Sequence, residues 1–209
     1  MKPARPSPEP GHSTRLTPDA WLDAAFQAVV DGGFDNVKVL AIAQTLGVTR
    51  GSFYWHFADH AALLQALLDR WKAGELALNQ REANLKSTDA AADLVQLLEA
   101  ALAHAGNNLE NVRFELALRG LGRRDPKVAA MLAEVDDARL RLFESKFLRL
   151  TGDPQTATEL GSLFYLAIVG SDQALSRPGN PPQLREFLKA IIERYLIRKQ
   201  VIDRPTMVA

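Results

Sequence analysis

The sequence predicts an all-α protein of about nine helices, with a short three-helix unit at the N-terminus and a longer helical bundle after it. Three observations carry this. Apolar residues recur at i, i+3, i+4 and i+7 in segment after segment. Helix boundaries are punctuated by capping residues, prolines and glycines, as at Thr17-Pro18, Gly32-Gly33, Asp125-Pro126 and Asp153-Pro154. No segment alternates as a half-buried strand does, and no repeat of solenoid period is found.

Taken in order, residues 1–14 hold four of the eleven prolines and almost nothing apolar, and read as a flexible arm. Arg5 on it and Arg15 beyond it can touch phosphates or stay solvated. The first helix opens with Thr17 as cap, Pro18 at the first position and Asp19 in the first turn. Leu22, Ala25, Phe26 and Val29 form its buried stripe, and Gly32-Gly33 ends it. The second helix carries Val39, Ile42, Ala43 and Leu46. Gly47 then suits a turn of positive φ, and a third helix is expected from about Val48 to Phe57. Asp59 caps a long fourth helix bearing Leu63, Leu64, Leu67, Leu68 and Trp71. Further helices are expected over about 88–105, 109–121, 126–150, 154–174 and 183–200. The resulting organisation is an arm (1–14), a three-helix unit (15–60), a bundle (61–203) and a tail (204–209).

Composition removes several classes of function. Lys+Arg and Asp+Glu both number 25, so charge alone does not point to nucleic acid. Residues 1–60 carry five basic and six acidic side chains, yet between Asn36 and Ala58 stand Lys38 and Arg50 with no carboxylate. The absence of cysteine excludes disulfides, thiolate metal sites and cysteine nucleophiles. No apolar run approaches the roughly 20 residues of a membrane span, and the N-terminus lacks the apolar segment of a secretory signal, so a cytoplasmic protein is expected. The four histidines form no His-Glu-x-x-His pair, and the one Glu-x-x-His spacing, Glu9 to His12, lies on the proline-rich arm and not on a helix; Ser52 and His56 have no oxyanion loop beside them, and there is no glycine-rich phosphate loop. Neither an enzyme nor a cofactor-binding protein is expected.

The third helix is the informative element. At roughly 100° per residue, Phe53 and Phe57 share one face and are expected to pack against Phe26 and Ile42. Trp55 lies nearly opposite, one turn beyond Gly51, while Arg50 and Tyr54 share a third face. These four cannot be buried while Phe53 and Phe57 are. A glycine in a helix costs about 1 kcal/mol relative to alanine, but it permits close approach to a surface. Thr49 can cap the helix or touch DNA, Arg50 can bond guanine or phosphate, and Tyr54 and His56 can donate to phosphates. Two readings follow from the residues: DNA in its major groove, or a packed hairpin whose aromatics meet another helix of the same chain.

Residues Ala20–Leu68, through GFDNVKVLAIAQTLGV, TRGSFYWHF and DHAALLQALL, resemble the DNA-binding domain of the TetR family of transcriptional regulators. The resemblance covers about 50 of 209 residues. It implies a nine- or ten-helix fold and a homodimer that binds an inverted-repeat operator in double-stranded DNA. It also implies a divergent C-terminal domain in which a small-molecule effector lowers DNA affinity, most commonly making the protein a repressor. On this sequence the turn glycine falls on Gly47, the base-reading positions on Thr49, Arg50, Gly51 and Ser52, and the phosphate-binding positions on Tyr54, Trp55 and His56, with Lys38 nearby. Two positions depart from the pattern: His60 stands where a phosphate-binding lysine is common, and Leu40 where several members have an arginine. Both changes remove charge, which predicts a shallow salt dependence. The rival reading is a helical ligand-binding or adaptor protein whose short helices contact protein.

In the C-terminal half, the segment Leu160–Val169 is apolar nearly all round, as in a helix buried on every side. The last helix carries Leu184, Phe187, Leu188, Ile191, Ile192, Tyr195 and Leu196. Two such helices from each of two chains make a four-helix interface, with Leu160, Phe164, Ile168, Phe187, Ile191 and Tyr195 as its expected residues. Gly161, Ala167 and Gly170 are expected to permit close approach there. Effector contacts are expected from Trp71, His104, Phe114, Arg119 and Tyr165, with a satisfied histidine as the alternative for His104 and a solvated face as the alternative for Arg119.

Overall fold

The computed structural model describes residues 16–107, 109–175 and 182–202, with the side chains of 103–107, 171–175, 182–185 and 201–202 outside that description. Arg5, Arg15 and the His104 side chain therefore lie outside the described residues. The described chain is helical throughout, without a strand. The elements are α1 (Pro18–Gly32), a 3₁₀ turn (Phe34–Asn36), α2 (Val39–Thr45), α3 (Arg50–Phe53), α4 (His60–Asn84), α5 (Ala90–Asn107), α6 (Leu109–Gly122), α7 (Pro126–Thr151), α8 (Pro154–Leu175), α9 (Pro182–Ile191), a π-helical stretch (Ile192–Arg198) and α10 (Lys199–Ile202).

The local signals act as their chemistry requires. Thr17 Oγ1 accepts from the Ala20 amide, at 3.4 Å. Asp59 accepts from the Ala62 amide at 2.8 Å, and Asp125 from the Lys127 amide at 2.8 Å. Asp153 accepts from the Thr156 amide at 2.8 Å. Each satisfies a helix N–H that has no partner inside its own helix. Gly47 has φ +67°, a left-handed conformation that side chains disfavour.

Burial follows two clusters. The first joins α1–α4 to α6 and the start of α7. Phe114 lies at its centre, stacked on Phe26 (4.8 Å between centroids), with Phe34 at 5.7 Å and Trp71 at 6.4 Å. The apolar core of the N-terminal helices thus runs on past residue 60 instead of closing by itself. The second cluster joins α5, the later part of α7, α8 and the last helix around Phe143, Phe147 and Phe164. The changeover falls between Val135 and Leu142 on α7, where the side chains of Asp136 and Arg139 join a network of charges.

Several expectations are corrected here. Phe53 packs edge-on against Trp21, 5.3 Å away, while Phe26 belongs to the Phe114 stack. Trp21 sits one residue before the stripe read from the sequence, yet it is fully buried. The α8 helix is buried on one side only: Phe164 and Ile168 face the chain's own core, whereas Leu163 and Leu166 are exposed. Phe164 and Ile168 therefore have no surface left for a partner, and Leu160 is half-buried against the same core. Gly161 also serves the chain itself: a Cβ there would come within 3.0 Å of the Glu144 backbone nitrogen, so it seats α8 on α7. Finally, the π-helical turn brings Ile192 and Ile197, five residues apart, onto the same buried side. It leaves Phe187, Ile191 and Tyr195 facing outward.

Candidate nucleic-acid interface and effector cavity

The turn between α2 and α3 is closed by backbone bonds, from the Gly47 amide to Gln44 O (3.1 Å) and from the Val48 amide to Ala43 O (2.9 Å). The α3 helix is shorter than expected. Its α-helical turn spans Arg50–Phe53 and then tightens, with Tyr54 N–H bonding Gly51 O and Trp55 N–H bonding Ser52 O. The turn is anchored from inside by Phe53, which is fully buried, and by Phe57, 5.6 Å from it. Thr49 occupies the cap position, but its hydroxyl makes no capping bond.

With Phe53 inward, the remaining faces point out. Trp55 is 85% exposed and Tyr54 52%. Arg50 Nη2 donates to the Tyr54 hydroxyl at 3.0 Å, and its guanidinium lies 5.9 Å from the Tyr54 ring centroid. The pair is thus held as one outward unit. Thr49, Gly51, Lys38 and His60 are exposed, and Ser52 and His56 are half-buried. A Cβ on Gly51 would meet only Thr49 Oγ1, at 3.6 Å, so the chain's own packing does not require glycine there. Leu40 is exposed at 58%, a large apolar side chain beside this surface. The His60 ring is engaged: its Nε2 donates to Val37 O at 2.6 Å, tying the start of α4 to the segment before α2.

A network of charges joins α4, α6 and α7. Arg139 donates to Glu75 at 2.8 Å and to both oxygens of Glu115 at 2.9 Å. Arg119 bonds Glu115 (2.7 Å) and Asp136 (2.8 Å), and reaches the Tyr165 hydroxyl at 3.4 Å. Burial pushes the Glu115 carboxyl up, but hydrogen bonds and charge from Arg139 and Arg119 outweigh it and hold Glu115 at about 2. Burial lowers both guanidiniums, and their carboxylate partners more than reverse this. Burial, helped by Asp136, pushes the Tyr165 hydroxyl up to about 12. Arg119 is therefore part of an internal network, not of a solvated face.

A cavity of about 130 Å³ adjoins this network, lined by residues of α4, α5, α7 and α8 including Asn79, Leu97, Arg139, Phe143 and Tyr165. Of the expected effector contacts only Tyr165 lies on it. Trp71 lines a separate hollow with Asp23 and Phe26. Phe114 is sealed in the core and Arg119 is spent on its carboxylates. Glu75, Asn79, Glu82 and Arg139 were missed. One signal was present: Glu75 stands four residues beyond Trp71 and eight beyond Leu67, so a carboxylate interrupts the apolar stripe of α4.

The comparisons with known proteins agree with this geometry. The sequence model of the bacterial regulatory proteins, tetR family, matches residues 22–67, from within α1 to within α4. Over that segment the chain is similar to the TetR family of regulators. Among TetR-family relatives it is similar to the HTH-type transcriptional regulator TtgR of Pseudomonas putida, with 46% identity over 48 residues, 23% of each protein. It is also similar to the tetracycline repressor protein class A from transposon 1721 of Escherichia coli, with 36% identity over 56 residues, 27% of this chain and 26% of that one. The matched segment thus spans about a quarter of these relatives' length. Over nearly the full chain the fold is that of a transcriptional regulator from Rhodococcus sp. Rha1, with a TM-score of 0.70 at 17% identity, covering 90% of this chain and 97% of that one. These sequence matches fall on the N-terminal helices, while over the bundle the likeness is one of fold. No helix among the described residues is long and apolar enough to cross a membrane.

Proposed function

We propose that this protein is a cytoplasmic transcription regulator that binds an inverted-repeat operator as a homodimer and releases it when a small molecule enters the bundle. The observation that carries the reading is the outward face of α3. On that face Arg50, Gly51, Tyr54 and Trp55 are exposed, beside a turn whose opposite side is locked by Phe53 and Phe57. In the proposed complex Thr49, Arg50, Gly51 and Ser52 approach base edges, and Lys38, Tyr54, Trp55, His56 and His60 approach phosphates. The dimer is proposed to form through Leu163, Leu166, Phe187, Ile191 and Tyr195, whose exposed apolar surface on α8 and the last helix calls for a partner.

Release follows from symmetry. A dimer presents two recognition helices to half-sites about one DNA turn apart, ~35 Å. A ligand that prefers a different spacing shifts the population away from the DNA-competent state. A hundredfold loss of DNA affinity needs about 2.7 kcal/mol of coupling. Repression is the proposed output, since a bound dimer occupies its operator until the ligand arrives. Selection from a random duplex pool tests the proposal. Enrichment of an inverted repeat is expected, and failure to enrich one at low salt, with the dimer intact, refutes it.

A further inference from the structure

The cavity in the bundle has apolar walls and one-sided charge. Leu97, Ala101, Leu142, Phe143 and Ile168 are among its apolar lining residues. Two carboxylates, Glu75 and Glu82, lie on it, and Arg139 is the one cation among the described residues of the lining. That guanidinium is committed to Glu75 and Glu115. Among the described residues of the network, Glu75, Glu115 and Asp136 face Arg119 and Arg139, a surplus of one negative charge. Glu82, half-buried on the wall, makes no ion pair or hydrogen bond among the described residues and adds a second. The Tyr165 hydroxyl, pushed up to about 12, stays protonated and neutral. Nearby, the buried Asn79 Nδ2 has no hydrogen-bond partner among the described residues, so the wall also offers a donor to a bound water or an acceptor atom.

An anionic guest would meet this surplus where the effective dielectric is low and would find no free cation to pair with. A purely apolar guest would cover Glu82 and leave its carboxylate desolvated without a partner. A cation reverses both terms. The volume, about 130 Å³, is near the ~150 Å³ that accommodates benzene in an engineered apolar cavity.

We propose that the cavity binds a small organic cation with a single-ring apolar body, its ammonium paired with Glu82 and its ring held between α5, α7 and α8. This deepens the effector reading and rests on it for any consequence at DNA. Binding itself is tested without DNA, by calorimetric titration of the full-length chain at pH 7 with 2-phenylethylammonium, 2-phenylethanol and 3-phenylpropionate. These differ chiefly in the charge of the end group. The ammonium is expected to bind at least tenfold more tightly than the alcohol, and the carboxylate most weakly. Glu82→Gln is expected to remove that roughly tenfold advantage, with the alcohol bound no more weakly than before and the helical fold retained. The proposal is overturned if the alcohol or carboxylate binds as tightly as the ammonium. It is equally overturned if Glu82→Gln leaves ammonium binding intact, or if none of the three binds at millimolar concentration. The two readings fail separately. An ammonium that binds through Glu82 without releasing DNA keeps the ligand class and removes the regulatory role. A phenylpropionate that binds and releases DNA does the reverse.

Discussion

Replacing Glu115 by glutamine tests whether the internal charge network stabilises the fold. The native carboxyl is held at about 2 against an ordinary 4.5, and its side chain is only 20% exposed, so solvent screening is modest. A displacement of that size corresponds to about 3 kcal/mol favouring the ionised form. It agrees with the ~3–5 kcal/mol lost when one partner of a buried pair is removed. Because the folded value is depressed, the stabilisation is complete above about 4.5 and is lost as pH falls towards 2. Roughly 2 of the roughly 3 kcal/mol should be gone by pH 3. Urea unfolding followed by circular dichroism at pH 7, 5 and 3 measures it. Glu115→Gln should be less stable by about 3 kcal/mol at pH 7, a fall in Tm of roughly 6–12 °C for a chain of this size. The gap should narrow to about 1 kcal/mol at pH 3. A gap under about 1 kcal/mol at pH 7, or one equally wide at pH 3 and pH 7, would refute the reasoning.

On DNA, Tyr54→Ala should weaken specific and random duplexes alike, whereas Arg50→Ala should relax preference at particular base pairs by about 1–3 kcal/mol; equal losses on both duplexes would reassign Arg50 to the backbone. Gly51→Ala should keep or raise Tm, since the added methyl has room and alanine favours the helix by about 1 kcal/mol, yet it should weaken DNA binding; unchanged affinity would show that close approach at residue 51 is not used. His60→Lys should steepen the slope of log K against log salt by about 0.9 per half-site, and a steeper slope for the unmodified protein would contradict the charge argument. Leu163→Glu with Leu166→Glu should convert the proposed dimer to monomer in analytical ultracentrifugation without loss of helicity, and a persisting dimer would place the interface elsewhere.

Sequence by itself determined what depends on neighbours along the chain. Capping side chains, prolines and Gly47 act within a few residues, so helix order and the turn before α3 were legible. The division of α3 into Phe53 and Phe57 inside, Tyr54 and Trp55 outside, follows from its pitch and holds. The motif around Gly47 also carried the family resemblance, because it lies within one short contiguous segment. Tertiary structure decided the rest. A helix apolar on every side cannot declare which side is its own core, so Phe164 and Ile168 went inward and Leu163 and Leu166 were left out. The π-helical turn moved the register of the last helix and put Ile197, not Leu196, fully into the core. Glu75, Asn79, Glu82, Arg139 and Tyr165 meet only when α4, α7 and α8 pack together. A cavity's charge is a sum over residues far apart in sequence, and only packing performs that sum.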